Sequence, residues 1–187
     1  MLVTMLRNLL LFTSNVLSIN IALASTVGQT LEVNTVVVDS CTLNANNINF
    51  GIYNLAGDLA TTNISVKCTK GTPYVIGLDN GTSPNTTFRK MLNGSKSLNY
   101  NLYIDASRQK AWGNNINNTL VGDGNGDTQL YTIYGKILPD QNVPSGDYSD
   151  IVHVSLSWGS SNPVQVSNSG MLNYQISIRI KALAHKN

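Results

Sequence analysis

The stretch VPSGDYSDIVHVSLSW, residues 143–158, decides how the rest of the chain is read. Pro144, Ser145, Gly146 and Asp147 are turn-forming residues. Beyond Asp150 the side chains alternate, with Val152, Val154, Leu156 and Trp158 on one face and His153, Ser155 and Ser157 on the other. That period predicts a strand with one face on a core. Its two backbone edges still need hydrogen-bonding partners, and the function depends on which chain supplies them.

The neighbouring sequence repeats this signature at short spacing. STVGQTLEVNTVVVDSC (25–41) holds Val27, Leu31, Val33 and Val37 at alternate positions, with Gln29 and Thr35 as polar exceptions, which predicts one long strand or two in series. NINFGIYN (47–54) predicts a short strand near a glycine turn, and TTNISVKCTK (61–70) alternates Ile64, Val66 and Cys68. A strand from Tyr74 to Leu78 is closed by the Asp79-Asn80-Gly81 turn. Asn93-Gly94 is a hairpin signal between Arg89–Leu92 and a longer strand at Ser97–Asp105. NNINNTLVGDGNGDTQ (114–129) is expected to be mostly loop, and LYTIYGKILP (130–139) gives another strand. No stretch after residue 24 sustains a helical period, so an all-β sandwich is expected.

Length and composition agree with one such domain. The chain has 187 residues, only 12% of them charged, and 25 asparagines, a composition that favours turns and strands over solvated helices. Residues 1–24 read as a signal peptide: Arg7 lies in a short front region, LLLF opens an apolar run, and ALA at 22–24 precedes Ser25. Thr13, Ser14, Asn15, Ser18 and Asn20 interrupt that run well short of a membrane-spanning length. Export passes the chain through an oxidising compartment. Cys41 and Cys68 lie in no C-x-x-C and have no histidine spaced to complete a metal site, so a structural disulfide is the natural pairing, with two buried free thiols as the alternative.

The sequence offers little for catalysis, and the chain is read as no enzyme. His153 lies on a strand face otherwise made of serines, His185 is near the C-terminus, and no G-x-S-x-G marks a nucleophile. In GDGNGD (122–127), Asp123, Asn125 and Asp127 alternate as in a calcium loop. The sixth and twelfth positions, however, are Thr128 and Tyr134 instead of glycine and glutamate, so no metal or other cofactor is expected. Tyr100 with Tyr103, and Tyr131 with Tyr134, are three residues apart. On a strand each pair would split into one core and one outer tyrosine, which is no stacking platform for a sugar. From Ser25 to Trp158 there are 8 Lys and Arg against 10 Asp and Glu, whereas residues 159–187 carry Arg179, Lys181 and Lys186 with no acid. Three basic residues without clustered aromatics make no nucleic-acid surface.

TKGTPYVIGLDNGT (69–82), LNYNLYIDASRQKAWG (98–113), YGKI (134–137) and VPSGDYSDIVHVSLSW, with cysteines on either side of FGIY (50–53), together resemble the spore coat protein U family, which includes subunits of archaic chaperone-usher pili. The resemblance runs from about Val27 to Trp158. It implies an immunoglobulin-like sandwich of the pilin type that lacks its final strand. A periplasmic chaperone would fill the resulting groove first, and the N-terminal extension of the next subunit would then replace it. On that pattern Cys41 and Cys68 form the family disulfide, and residues 25–33 are a donor segment whose Val27, Leu31 and Val33 enter a neighbour's groove. Residues 34–158 are then the domain, with Val36–Thr42 as its first strand and Val152, Val154, Leu156 and Trp158 as one groove wall. Neighbouring pilus subunits, a periplasmic chaperone and an outer-membrane usher are the implied partners, with no small-molecule substrate. The implied destination is the cell surface, with the adhesive and biofilm roles of a fimbrium.

The chain departs from the family in its extension, residues 159–187. There Leu172, Tyr174, Ile176, Ile178 and Ile180 alternate with Asn173, Gln175, Ser177, Arg179 and Lys181, the cleanest period-two pattern in the sequence. Residues 172–180 are best read as turning back antiparallel to 150–158 and supplying the missing strand in cis, as in a self-complemented secreted coat or surface protein of the same fold, with a frayed extension and an extra strand at another edge as the alternatives.

Overall fold

The computed structural model describes residues 25–84, 88–159 and 171–183. The expected signal peptide and His185 lie outside the described residues. The chain divides into two units, one ending at Val36 and one starting at Val37. Described residues of the first, 25–36, form no regular secondary structure and are exposed throughout.

The second unit is all strand and turn among the described residues: β1 (Cys41–Ala45), β2 (Ile48–Tyr53), β3 (Asp58–Cys68), β4 (Pro73–Leu78), β5 (Arg89–Asn93), β6 (Lys96–Tyr103), β7 (Leu120–Asp123), β8 (Thr128–Ile137), β9 (Gly146–Trp158) and β10 (Met171–Ala182). Pro73 opens β4, a place where its missing N–H leaves the middle of the strand undisturbed. The hydrogen-bonded order is β1-β3-β8-β6-β5-β9-β10-β2, with β4 on the remaining edge of β9 and β7 beside β4. A single pair, Leu92 with Ser149, joins β5 to β9, and there the sheet bends from one layer into the other. The inward side chains form one core, including Ile64 and Val66 of β3, Leu98, Tyr100 and Leu102 of β6, Ile133 of β8 and Tyr74, Ile76 and Leu78 of β4.

Residues 41–53 tie the layers together. β1 pairs antiparallel with β3, whereas β2, a few residues on, pairs parallel with β10. Gly135 of β8 makes room for this crossing, since a Cβ there would lie 2.5 Å from Phe50 and 2.8 Å from Ile48. Cys41 and Cys68 stand directly opposite each other on β1 and β3 and are disulfide-bonded, with Cα atoms 4.1 Å apart.

Several local expectations need correction. The strand pattern at 27–37 forms no strand, and the domain's first strand is Cys41–Ala45 rather than Val36–Thr42. β3 ends at Cys68, the partner of Cys41, and beyond it, among the described residues, only the Thr69 N–H reaches back to backbone, at the Ser40 carbonyl (2.9 Å), so the ladder goes no further toward the N-terminus. The 114–129 segment contains β7, which pairs with β4 from Leu120 opposite Ile76 to Asp123 opposite Pro73; its weak alternation hid it. The hairpin loop is Gly94-Ser95, one residue later than its signal, because Asn93 and Lys96 pair across it. Only the first loop position has positive φ, 56° at Gly94, the glycine-first pattern of a type II′ turn. Tyr100 is buried and Tyr103 half-buried, but Tyr131 and Tyr134 are both half-buried. Tyr131 meets the Tyr74 hydroxyl from one face, and Arg108 covers the Tyr134 ring on the other, 5.6 Å from its centroid.

Candidate functional site: the strand slot beside β9

β9 has partners on both edges. Residues 154–158 pair with β4, from Leu78 opposite Val154 to Tyr74 opposite Trp158. The other edge pairs with β10 without interruption, from Met171 opposite Ser157 to Ala182 opposite Gly146. Beyond β10 lies β2, so the slot that β10 occupies has β9 as one wall and β2 as the other.

The slot accepts every second side chain. Ile176, Ile178, Ile180 and Ala182 are buried, while Asn173, Gln175, Arg179 and Lys181 face solvent, and Leu172 near the start is 37% exposed. The walls contribute Tyr148, Val152, Val154 and Leu156 from β9 and Ile48, Phe50 and Tyr53 from β2, all buried. Fully burying an isoleucine stabilises by about 1.5–3 kcal/mol, so the three isoleucines contribute on the order of 5–9 kcal/mol before ordering entropy is subtracted. The parallel ladder to β2 shifts register between Arg179 and Lys181, where β2 inserts an extra residue. Gly51, at φ 85°, accommodates the bulge and donates its N–H to Asn49 Oδ1 at 2.9 Å. Asn47 Oδ1 accepts from the Ser177 N–H at 2.8 Å and anchors the middle of β10.

One buried acid fixes the β9 wall, and one buried cation ties together the segments beside it. Asp150 points inward, where one carboxylate oxygen accepts from the Tyr100 hydroxyl at 2.7 Å and the other from the N–H groups of Thr82 (3.0 Å) and Ile151 (2.8 Å). Burial, followed by the nearby Asp150 charge, pushes the Tyr100 phenol well above its ordinary range. Arg89 is also buried, and burial lowers its pKa. Its guanidinium donates to the carbonyls of Leu78, Asp79 and Trp112 and to Asn101 Oδ1. On the solvent face, Asp79 Oδ1 accepts from the His153 N–H and Oδ2 lies 2.8 Å from His153 Nδ1; His153 Nε2 lies 2.8 Å from Gln175 Nε2 of β10. The tautomer protonated on Nδ1 satisfies both contacts. An amide therefore occupies the position a serine nucleophile would need, and the His-Asp pair clips β10 to β9.

The structure brings Val152, Val154 and Leu156 together as a buried wall, with Trp158 half-buried at its end. Leu172, Ile176, Ile178 and Ile180 lie on β10, as does the backbone of Tyr174. Val27, Leu31 and Val33 are exposed and belong to no strand. Sequence reading missed Asp150 and Arg89 as parts of the site. Asp150 was detectable, because it shares the parity of Val152 and Val154; Arg89 was not, because its partners come from three distant segments. Asp123, Asn125 and Asp127 form no metal cluster, and among the described residues no group of three or more His, Cys, Asp or Glu could hold an ion. Asn125 Oδ1 instead accepts from the Asp127 N–H within the loop.

A family model, the Spore Coat Protein U domain, matches residues 27–155. The chain belongs to the Spore Coat Protein U domain family. Its family match ends inside β9, so β10 lies outside the matched range. Protein U of Myxococcus xanthus is a relative, 35% identical over 127 residues, covering 59% of this chain and 71% of that protein. Among solved structures, the Spore Coat Protein U chain is similar to the CsuC-CsuE chaperone-tip adhesion subunit pre-assembly complex from the archaic chaperone-usher Csu pili of Acinetobacter baumannii. That match has a TM-score of 0.51 and 23% identity, covers 64% of this chain, and spans only 40% of the other. The CssB subunit complemented with a donor strand from CssA, from enterotoxigenic Escherichia coli colonization factor CS6, is matched at a TM-score of 0.46 and 16% identity, over 74% of this chain and 96% of that one. The likeness to the Csu pre-assembly complex shows a pilin-type, immunoglobulin-like fold.

Proposed function

We propose that this Spore Coat Protein U domain chain is a structural, non-catalytic subunit of an exported surface coat or pilus, and that its sandwich is closed by its own C-terminal strand. The observation that carries this reading is β10 seated between β9 and β2, with three isoleucines in the core and an uninterrupted ladder along β9. A sandwich closed in this way presents no open groove for a periplasmic chaperone to complete. Its route outward begins with export directed by residues 1–24, and contact with neighbouring subunits runs through its exposed N-terminal segment.

Deletion of residues 159–187 from the chain beginning at Ser25 tests the reading. The full chain is expected to be a stable monomer by light scattering, and the truncated one to aggregate, polymerise or require a strand-donating chaperone. A truncated chain as soluble and monomeric as the full one would show that β10 completes nothing.

A further inference from the structure

The N-terminal segment carries the most exposed large apolar residues among those described. Val27, Leu31, Val33, Val36, Val37 and Val38 are 70–87% exposed, above the next most exposed, Leu130 at 69%. Residues 25–40 form no strand; among the described residues the chain is held only from 38 onward, where Thr69 hydrogen-bonds Val38 and Ser40 and Thr72 hydrogen-bonds Asp39, and the apolar side chains before that stay in solvent. Their spacing fits the slot already described. The same-face positions of β10 run from 172 to 182, and a segment from 27 to 37 presents the same number of same-face positions. Superposed in the same direction, Leu31 and Val33 fall where Ile176 and Ile178 are fully buried, Val27 and Val37 at the ends, and Gln29 and Thr35 between.

The chain's own slot is closed to such a segment. β10 is covalently tethered to β9 through residues 159–170, and a short tether holds its strand at an effective concentration near millimolar, about a thousandfold above a partner present at micromolar concentration. β10 also places isoleucines where a second copy would offer Leu31 and Val33. Binding by strand addition is therefore available at one end of this molecule and blocked at the other.

We infer that the chain is a one-ended subunit. Through residues 25–38 it docks into the open slot of another sandwich of this class that lacks its last strand, and it then terminates the row, because it offers no slot to a successor. The inference rests on the proposed closure by β10 and adds the valence that follows from it.

The test uses the full chain from Ser25 with a protease site inserted between residues 160 and 170, cut after folding so that β10 stays in place by pairing alone. The cut chain is expected to form ladders on incubation, as N-terminal segments displace the untethered strand, while the uncut chain stays monomeric. Uncut chain added to cut chain is expected to shorten the ladders, halving their mean length when its fraction is doubled. Uncut chain carrying Leu31→Asp should leave the lengths unchanged. Ladder lengths insensitive to uncut chain, or a cut chain that never ladders, would overturn the one-ended reading while leaving closure by β10 standing. Ladders from the uncut chain alone would overturn both.

Discussion

If β10 closes the sandwich, truncating Ile178 destabilises the whole domain and not just its C-terminal end. Ile178 is fully buried, pairs with Asp150 of β9 on one side and Ile48 of β2 on the other, and belongs to the common core. Ile178→Ala removes three methylene-sized groups, about 2.4 kcal/mol at about 0.8 kcal/mol each. The hole they leave, roughly 80 Å³ between two walls that hold their positions, adds roughly 2 kcal/mol. A total of about 4 kcal/mol is a large part of the 5–15 kcal/mol that typically holds a domain folded. With a urea dependence of about 2 kcal/mol per molar, the unfolding midpoint is expected to fall by about 2 M. The assay is fluorescence of Trp112 in a Trp158→Phe background; Trp112 is buried away from β10 and donates its indole N–H to the Ile76 carbonyl of β4 at 3.1 Å. Leu172→Ala, at a position 37% exposed, should cost less than half as much, and Arg179→Ala, on the outer face, should stay within about 0.5 kcal/mol. An Ile178→Ala chain whose Trp112 transition does not move would mean that β10 detaches on its own, and the closure argument would fail.

Replacing both Cys41 and Cys68 by serine opens a loop of sequence separation 27; the expected loss is about 3.5 kcal/mol in the chain-entropy model, read by the same titration, with intact-mass analysis of the native chain showing no alkylatable thiol. Alkaline pH is expected to destabilise the domain. The fold raises the Tyr100 phenol above its ordinary value of about 10, so its contribution is complete below that pH and is lost as pH rises past it, and Tyr100→Phe should flatten this part of the stability profile while costing about 1–3 kcal/mol at neutral pH for the unpaired Asp150 oxygen. At the acid end, the Ser107 hydroxyl and the N–H groups of Gln109 and Lys110 pull the Asp105 carboxyl down to about 2, so its support of the 105–110 turn is complete above about pH 4 and is lost as pH falls through about 2; the protection of the Gln109 and Lys110 amides, relative to the intrinsic exchange rate at each pH, should fall over that window and stay level in Asp105→Asn. Gly81→Ala should unfold more easily, because its φ is 59° and a Cβ would lie 2.2 Å from Asp150 Oδ2 on the slot wall; a neutral result would show that the Asp79-Asn80-Gly81 turn is free to move away from β9.

Much of this architecture is legible as period-two alternation. β3, β9 and β10 are long, have one apolar face, and appear in the sequence as Ile64-Val66-Cys68, Val152-Val154-Leu156 and Ile176-Ile178-Ile180. Where pattern and structure part, a partner decides. Residues 27–37 alternate almost as well as β10 and yet form no strand, because alternation describes a strand's faces and says nothing about whether an edge exists to receive it. β7 errs in the other direction: Leu120 is half-buried and Val121 exposed, and the open edge of β4 alone makes it a strand. The buried Arg89 reads as an ordinary strand-opening cation, because the carbonyls that receive it lie ten or more residues away along the chain.

Cys41 is the first residue of β1, and its disulfide partner is the last residue of β3. A pull applied through residues 25–40 therefore meets the single Thr69–Ser40 backbone bond and then a covalent junction before it reaches the β1 ladder. The junction passes tension into β3, an 11-residue strand held between β1 and β8, so that two ladders share the load that β1 alone would otherwise carry. Reduction would remove this bypass and let β1 peel from its end. An oxidised subunit held by its N-terminus is thus built to bear sustained traction, and its mechanical strength depends on the redox state of one sulfur pair.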